Sequence, residues 1–313
     1  MLICIPLGVV MYYNYPKIEN ADDLFSCFKD RSTTNTFLYN LRWKNGFVCD
    51  CGWKKLSKYN GKSMIYCPKC KYKTSITAGT LFDKSRIPLD VLLYGLWKFS
   101  TFEGITAKKL QPEMNLKSYK DAWRWASKFR ELCIDPSIKL KGQVYLTLIS
   151  IGRRMYYQGY RIDHHDGYVS LLAETNNKLI DKIVLKYYED FNPEDPDPSH
   201  VNKLLADHLD EDAVIITHDL FSKETYNVTQ WRHKFIRNKK NPGFDIPLVV
   251  KETAKELVTW MKNRMGDRFW EKHLNSYLDE FSFKHNNIDM LESGQFFYKL
   301  LDIALQKKIK PLQ

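Results

Sequence analysis

Four cysteines crowd into one short stretch of the chain, as Cys49-Asp-Cys51 and Cys67-Pro-Lys-Cys70. Two thiolates separated by two residues can occupy adjacent corners of a tetrahedron around one metal ion without strain, which is the half-site of a structural zinc centre. The second pair has that spacing, whereas the first is one residue tighter. The expected cofactor is a structural Zn²⁺ held by Cys49, Cys51, Cys67 and Cys70; the other reading is a shortened first knuckle that leaves four ordinary buried thiols. The chain has seven cysteines, an odd number, and Cys4, Cys27 and Cys133 stand alone. That distribution points to metal ligation in a reducing compartment, not to a secreted disulfide framework.

A centre of this type needs small strands and turns to present its knuckles. Residues from Phe47 to Thr80, rich in Lys, Tyr and Gly, read as such a ribbon, held by metal more than by a core. The segment Ala21 to Arg42 before it has helical spacing, with Leu24, Phe28, Phe37, Leu38 and Leu41 on candidate inner faces. Three helical patterns follow, Pro88 to Phe102, Thr106 to Met114 and Ser118 to Leu132. The last opens with Ser118 three residues before Asp121, a capping-box-like start. Its Tyr119, Ala122, Ala126 and Phe129 should face inward, leaving Lys117, Lys120, Arg124 and Lys128 on a basic outer face.

From Val144 the character changes. The runs VYLTLISI, GYVSLLAE and AVIITH read as strands of a second, mixed α/β domain. An acidic, proline-rich excursion spans residues 187–200, and the tetrad Asp163, His164, His165 and Asp166 could hold a metal but reads more simply as a polar hairpin turn. Three helices close the chain: Lys251 to Met265, Arg268 to Lys284 and Ser293 to Lys308. The opening run MLICIPLGVVMYY is apolar but lacks a basic lead and is shorter than the roughly 20 residues a bilayer span requires, so it reads as a buried strand or an upstream extension. No membrane partner is expected.

The 313 residues carry a formal charge of +11, and its placement is uneven. Between Asn40 and Cys133 there are 19 Lys/Arg against 7 Asp/Glu, so the rest of the chain is close to neutral. Clustered cations gain affinity for a polyphosphate by releasing its counterions, without any sequence preference. DNA is the expected partner; a solvated basic face is the alternative.

The stretches FLYNLRWKNGFVCDCGW and YCPKCKYKTSITAGTLFDKSRIPLDVLLYGLWKF closely resemble the zinc-ribbon region of Merlin-like insertion-sequence transposases. GITAKKLQPEMNLKSYKDAWRWASKFREL is similar to that family's helix-turn-helix, with Ser118 to Leu132 as recognition helix, and HLNSYLDEFSFKHNN resembles its closing helix motif. The resemblance runs from about Asp22 to about Gln306. It implies a lead-in at 1–42, a zinc ribbon at 43–82, a helix-turn-helix at 83–135 and a ribonuclease-H-like mixed-sheet domain at 140–313 with C-terminal helices, an α/β (α+β) fold overall. It also implies cut-and-join chemistry on DNA, in which three carboxylates hold two Mg²⁺ to activate the attacking hydroxyl and stabilise the leaving oxygen.

Those carboxylates are largely missing. The strand that should carry the first acid reads Gly142-Gln-Val-Tyr-Leu-Thr-Leu-Ile-Ser-Ile-Gly152, with Thr147 at the Asp position and Tyr145 and Leu148 at neighbouring Glu positions. The second motif reads Ile215-Ile-Thr-His-Asp219, placing His218 on the acid position and Asp219 one residue late. The third acid corresponds to Glu256, four residues before Trp260. Asp219 and Glu256 are thus the candidate catalytic acids, or else a turn residue and a solvent-facing helix residue. The expected function is a DNA-binding, transposase-derived protein without strand cleavage, a domesticated or decaying copy, intracellular, nuclear in a eukaryotic setting, and a possible homo-oligomer. An active Mg²⁺-dependent transposase or nuclease and a protein-interaction scaffold are the competing functions.

Overall fold

The computed structural model describes the chain outside residues 1–14, 55–58, 60, 102, 158–159, 177–178, 189–197, 219–230, 237–245, 266–270, 293 and 307–313. The opening apolar run, Asp219 and most of the acidic excursion lie outside the described residues. What is described is mixed α/β and falls into two compact units, Met1–Leu132 with Asn287–Gln313, and Cys133–Asn286. The sequence reading ran one domain from 140 to 313. The final segment groups instead with the N-terminal unit, because α10 (Phe296–Gln306) packs on α2 (Arg31–Arg42) and α3 (Leu89–Ser100).

Helix α10 is apolar on nearly every side, with Phe296, Phe297, Tyr298, Leu300, Leu301, Ala304 and Leu305 buried. A helix buried all round belongs in the middle of a core, not on a surface. Its Ala304 carbonyl accepts the Leu81 amide at 3.0 Å, Tyr298 donates to the Pro16 carbonyl at 2.6 Å, and Asp302 pairs with Lys44 at 2.9 Å. Before α2 lies α1 (Ala21–Cys27), closed at its N-terminus by a full capping box between Asn20 and Asp23.

Helix α4 (Ala107–Glu113) is capped by Thr106, which accepts the Lys109 amide at 3.3 Å, and stops at Asn115 in the left-handed region, φ 49°. Ser118 then caps α5 (Tyr119–Arg130), accepting the Asp121 amide at 3.2 Å while its hydroxyl donates to the Asp121 carboxylate at 2.7 Å. Gly95 of α3 lets α4 approach, since a Cβ there would lie 2.5 Å from the Met114 sulfur.

The inner face of α5 is Ala122, Trp125, Ala126, Phe129 and Arg130. Tyr119, expected inside, is 54% exposed. It is the first helical residue and lies beyond the packed stripe that Ala122 begins. Phe129 is fully buried, its ring centroid 5.7 Å from that of Phe99 on α3. Phe129→Ala should therefore destabilise the N-terminal unit by about 3–5 kcal/mol, visible as a lowered denaturant midpoint with circular dichroism as the readout. An unchanged midpoint would mean that α5 is not anchored as described.

The second unit is built on a five-stranded mixed sheet in the order β5-β4-β3-β6-β7. Strands β3 (Gln143–Tyr157), β4 (Tyr160–Asn176) and β5 (Leu179–Tyr188) are antiparallel, while β6 (Val214–His218) runs parallel to β3 and β7 (Arg232–Ile236) parallel to β6. Asp163 to Asp166 lie within β4, not in a turn. The sheet is covered on both faces. Ile149, Val169, Leu171, Ile183 and Leu185 pack against α7 (Leu248–Met265) and α8 (Glu271–His285). Val144, Leu146, Leu172, Val184 and Ile215 pack against α6 (Pro198–His208). Helix α6 begins inside the stretch read as loop to residue 200. The short α9 (Ile288–Glu292) leads into α10.

The β5 edge is blunted by two asparagines of the α8 region. Asn275 accepts the Tyr187 amide at 2.9 Å and donates to its carbonyl at 3.1 Å, and Asn286 does the same at Ile183, at 2.7 and 2.8 Å. Each side-chain amide takes the place of a neighbouring strand's peptide, closing an edge that would otherwise template pairing with another chain.

Candidate metal centre and nucleic-acid interface

The four cysteines converge. Their sulfurs all lie within 4.8 Å of one another, and they are the sole group of three or more His, Cys, Asp or Glu among the described residues placed to hold a metal ion. Cys49 Sγ is 3.5 Å from Cys70 Sγ, and Cys51 Sγ is 3.5 Å from Cys67 Sγ. A tetrahedral ion with bonds of about 2.3 Å holds its sulfurs about 3.8 Å apart. The observed spacing matches a four-thiolate shell and leaves no corner for water, as in a structural site. The residues therefore fit a metal such as zinc.

Backbone geometry explains why the shorter first pair still converges. In the first knuckle the Gly52 amide donates to the Cys49 carbonyl at 2.8 Å, and Gly52 takes φ 82°. In the second, the Lys71 amide donates to the Cys67 carbonyl at 2.9 Å, and Lys71 takes φ 65°. Both turns thus close on a left-handed residue directly after the second cysteine. The missing residue of the first pair shortens the turn without redirecting it. The amide of Cys49 also donates to Trp53 and that of Cys67 to Tyr72, each at 2.8 Å. For Cys67, burial is outweighed by the Cys70 amide and the neighbouring thiols, which bring its thiol down to about 7.

Little else holds the ribbon. Strands β1 (Met64–Tyr66) and β2 (Lys73–Ser75) are three residues each and bury only Ile65 and Thr74. A short aromatic shelf backs them, where Tyr39 and Tyr59 stack at 4.2 Å and Phe47 donates its amide to the Tyr39 hydroxyl at 3.0 Å. Arg42 at the end of α2 donates to the carbonyls of Ile76 and, at 2.7 Å, Ala78.

No family model and no curated protein matches this chain.

The basic edge expected on α5 is present with one change. Lys117, Lys120 and Arg124 are exposed, and Arg124 lies 3.5 Å from Asp121. Lys128 is half-buried, its ammonium 4.5 Å from the centre of the Trp125 ring, and burial lowers its pKa. It lies on its own helix more than it projects outward. Lys108 and Lys109 of α4 are exposed and extend the cationic surface, although the periodicity of α5 alone gave no sign of them.

In the second unit, Thr147 is buried in β3 and pairs with Leu171 on the sheet face covered by α7 and α8. Leu148 packs toward α6 on the other face. Tyr145 packs on the same face as Thr147, and burial raises its pKa. The parallel register pairs Gln143 with Val214 and Tyr145 with Ile216. Thr147 and His218, the last residue of β6, each lie two residues beyond that last pair. Glu256 is exposed on α7, beside but outside the buried stripe of Thr253, Leu257 and Trp260; partial burial raises its carboxyl pKa.

Proposed function

We propose that this chain is a DNA-binding protein on the plan of a Merlin-like transposase, with a zinc-held ribbon, α4 and α5 as helix-turn-helix, and a ribonuclease-H-like unit that no longer cuts. The observation that carries the binding half is the exposed edge Lys117, Lys120 and Arg124 on a helix whose opposite face is fully packed. A rigid helix with cations along one side can enter the major groove and hold its register through phosphate contacts.

The loss of cleavage is supported by Thr147 and His218. Where two neighbouring parallel strands should bring two acids side by side, the chain offers a hydroxyl and an imidazole. Neither can hold two Mg²⁺ as carboxylates do. Glu256 on its exposed helix face adds a single carboxylate.

Gel shifts with duplex DNA should show association at low salt that weakens linearly on a log–log plot. The double substitution Lys120→Ala with Arg124→Ala should lower the slope by about 2, one unit for each lost phosphate contact. No association at low salt would refute the binding half. Mg²⁺-dependent nicking that disappears in Glu256→Ala would restore the active reading.

A further inference from the structure

The ribbon hairpin carries a second feature. In β1 and β2, Ile65 and Thr74 point inward, while the register sets Tyr66 opposite Lys73 and Met64 opposite Ser75 on the outer face. Two large side chains stand in solvent there, Tyr66 at 45% exposure and Met64 at 51%, and Tyr72, directly before β2, is 51% exposed. Cations flank them. Lys71 holds its ammonium 6.0 Å from the centre of the Tyr66 ring, and Lys73 is exposed opposite Tyr66. Between residues 43 and 82 the chain has eight lysines and one acid, Asp50.

We infer that this hairpin is a separate nucleic-acid site for unpaired nucleotides, whose bases stack on the exposed rings of Tyr66 and Tyr72 while Lys71 and Lys73 meet the phosphates. The inference rests on the reading of the chain as a DNA-binding protein. Exposed phenol rings set among cations supply the two attractions that hold single strands, base stacking and neutralisation of the backbone. A duplex satisfies only the second, because its bases already stack on one another. The one-sided charge of the ribbon favours a polyphosphate over a protein partner. The face also continues into a groove of about 780 Å³, which shares Met64 and Ser75 with it and carries Lys29, Arg31 and Arg86 together with Asp30 and Asp90. A strand crossing the hairpin has room to continue there.

The test uses the metal-loaded full chain and a fluorescent oligothymidylate, with anisotropy as readout. Tyr66→Ala with Tyr72→Ala should weaken single-strand binding about tenfold or more, leave duplex binding within about twofold and keep the metal content. Tyr66→Phe with Tyr72→Phe should bind like the parent, because stacking needs the ring and not the hydroxyl. Lys120→Ala with Arg124→Ala should show the opposite pattern, losing duplex and keeping single-strand affinity. Alanine variants that hold the single strand as tightly as the parent overturn the proposal, as does a parent that binds duplex alone or binds an acidic peptide in place of the oligonucleotide. A chain that binds neither nucleic acid overturns this proposal together with the reading beneath it.

Discussion

Cys67→Ser is expected to abolish metal binding and unfold the ribbon, with the bound ion falling from about one per chain to near none in elemental analysis. The size of the effect follows from how little else is available. Within the ribbon Phe47, Tyr59, Ile65 and Ile76 are buried. Each such side chain contributes about 1.5–3 kcal/mol, whereas a structural zinc in small finger peptides contributes about 10–16 kcal/mol. The metal term dominates, so amide protection across residues 47–76 should collapse in the variant while α7 and α8 keep theirs. The same loss should follow chelation of the parent protein. Cys27→Ser is the control, since that thiol lies on α1 outside the cluster and its loss should leave the metal content unchanged. Parent protein that is folded, metal-free and protected across the ribbon would remove the metal from this account.

Glu280→Ala should be the most damaging single change in the second unit. Glu280 and Lys284 are one turn apart on α8 and paired at 2.9 Å, with Arg264 of α7 at 3.7 Å. All three side chains are almost wholly buried, at 0%, 2% and 4% exposure. Removing the carboxylate leaves two cations together in a low-dielectric interior, a cost of about 3–5 kcal/mol. For a unit of this size that corresponds to a fall in Tm on the order of 10 °C by calorimetry. Lys284→Met should cost much less, because Glu280 keeps Arg264 and the methionine fills most of the lysine's volume. Equal losses in the two variants would show that packing, and not uncompensated charge, governs the site.

Glu280 and Lys284 belong to the stretch HLNSYLDEFSFKHNN, whose resemblance to a family's closing helix gives no hint of what its residues do. The contacts explain it: Asn275 and Asn286 close the β5 edge, and Glu280, paired with Lys284 on its own helix, reaches Arg264 of α7. The pattern is written for architecture.

Features that depend on neighbours in sequence were legible. The cysteine knuckles, the cap at Ser118 and the apolar run of β3 are local, and the structure places them where the residues suggested. Features that depend on distant neighbours were not. Strand β5 mixes Asp181, Lys182 and Lys186 among its apolar residues because its outer end is half exposed, so it lacks the run that marked β3. Strand β7, Arg232–Ile236, is largely polar and becomes a strand through its pairing with β6. Arg130 and Lys284 are charged yet buried, which no hydrophobic period can reveal. The exposure of Tyr66 and Tyr72 was hidden for the converse reason, since aromatic residues in a strand pattern are ordinarily counted toward the core.

The unit that holds the ribbon is discontinuous in sequence, with all of Cys133–Asn286 inserted before α10 supplies the middle of its core. On the ribosome, α10 emerges only after the whole α/β unit has been made. The nascent ribbon, α2 and α3 thus wait until the helix that packs on α2 and α3 arrives. Synthesis that stops early leaves cations without a rigid frame and an open apolar face, the kind of product that cellular quality control removes. Folding of the unit that carries the ribbon is in this way tied to translation of the chain through α10.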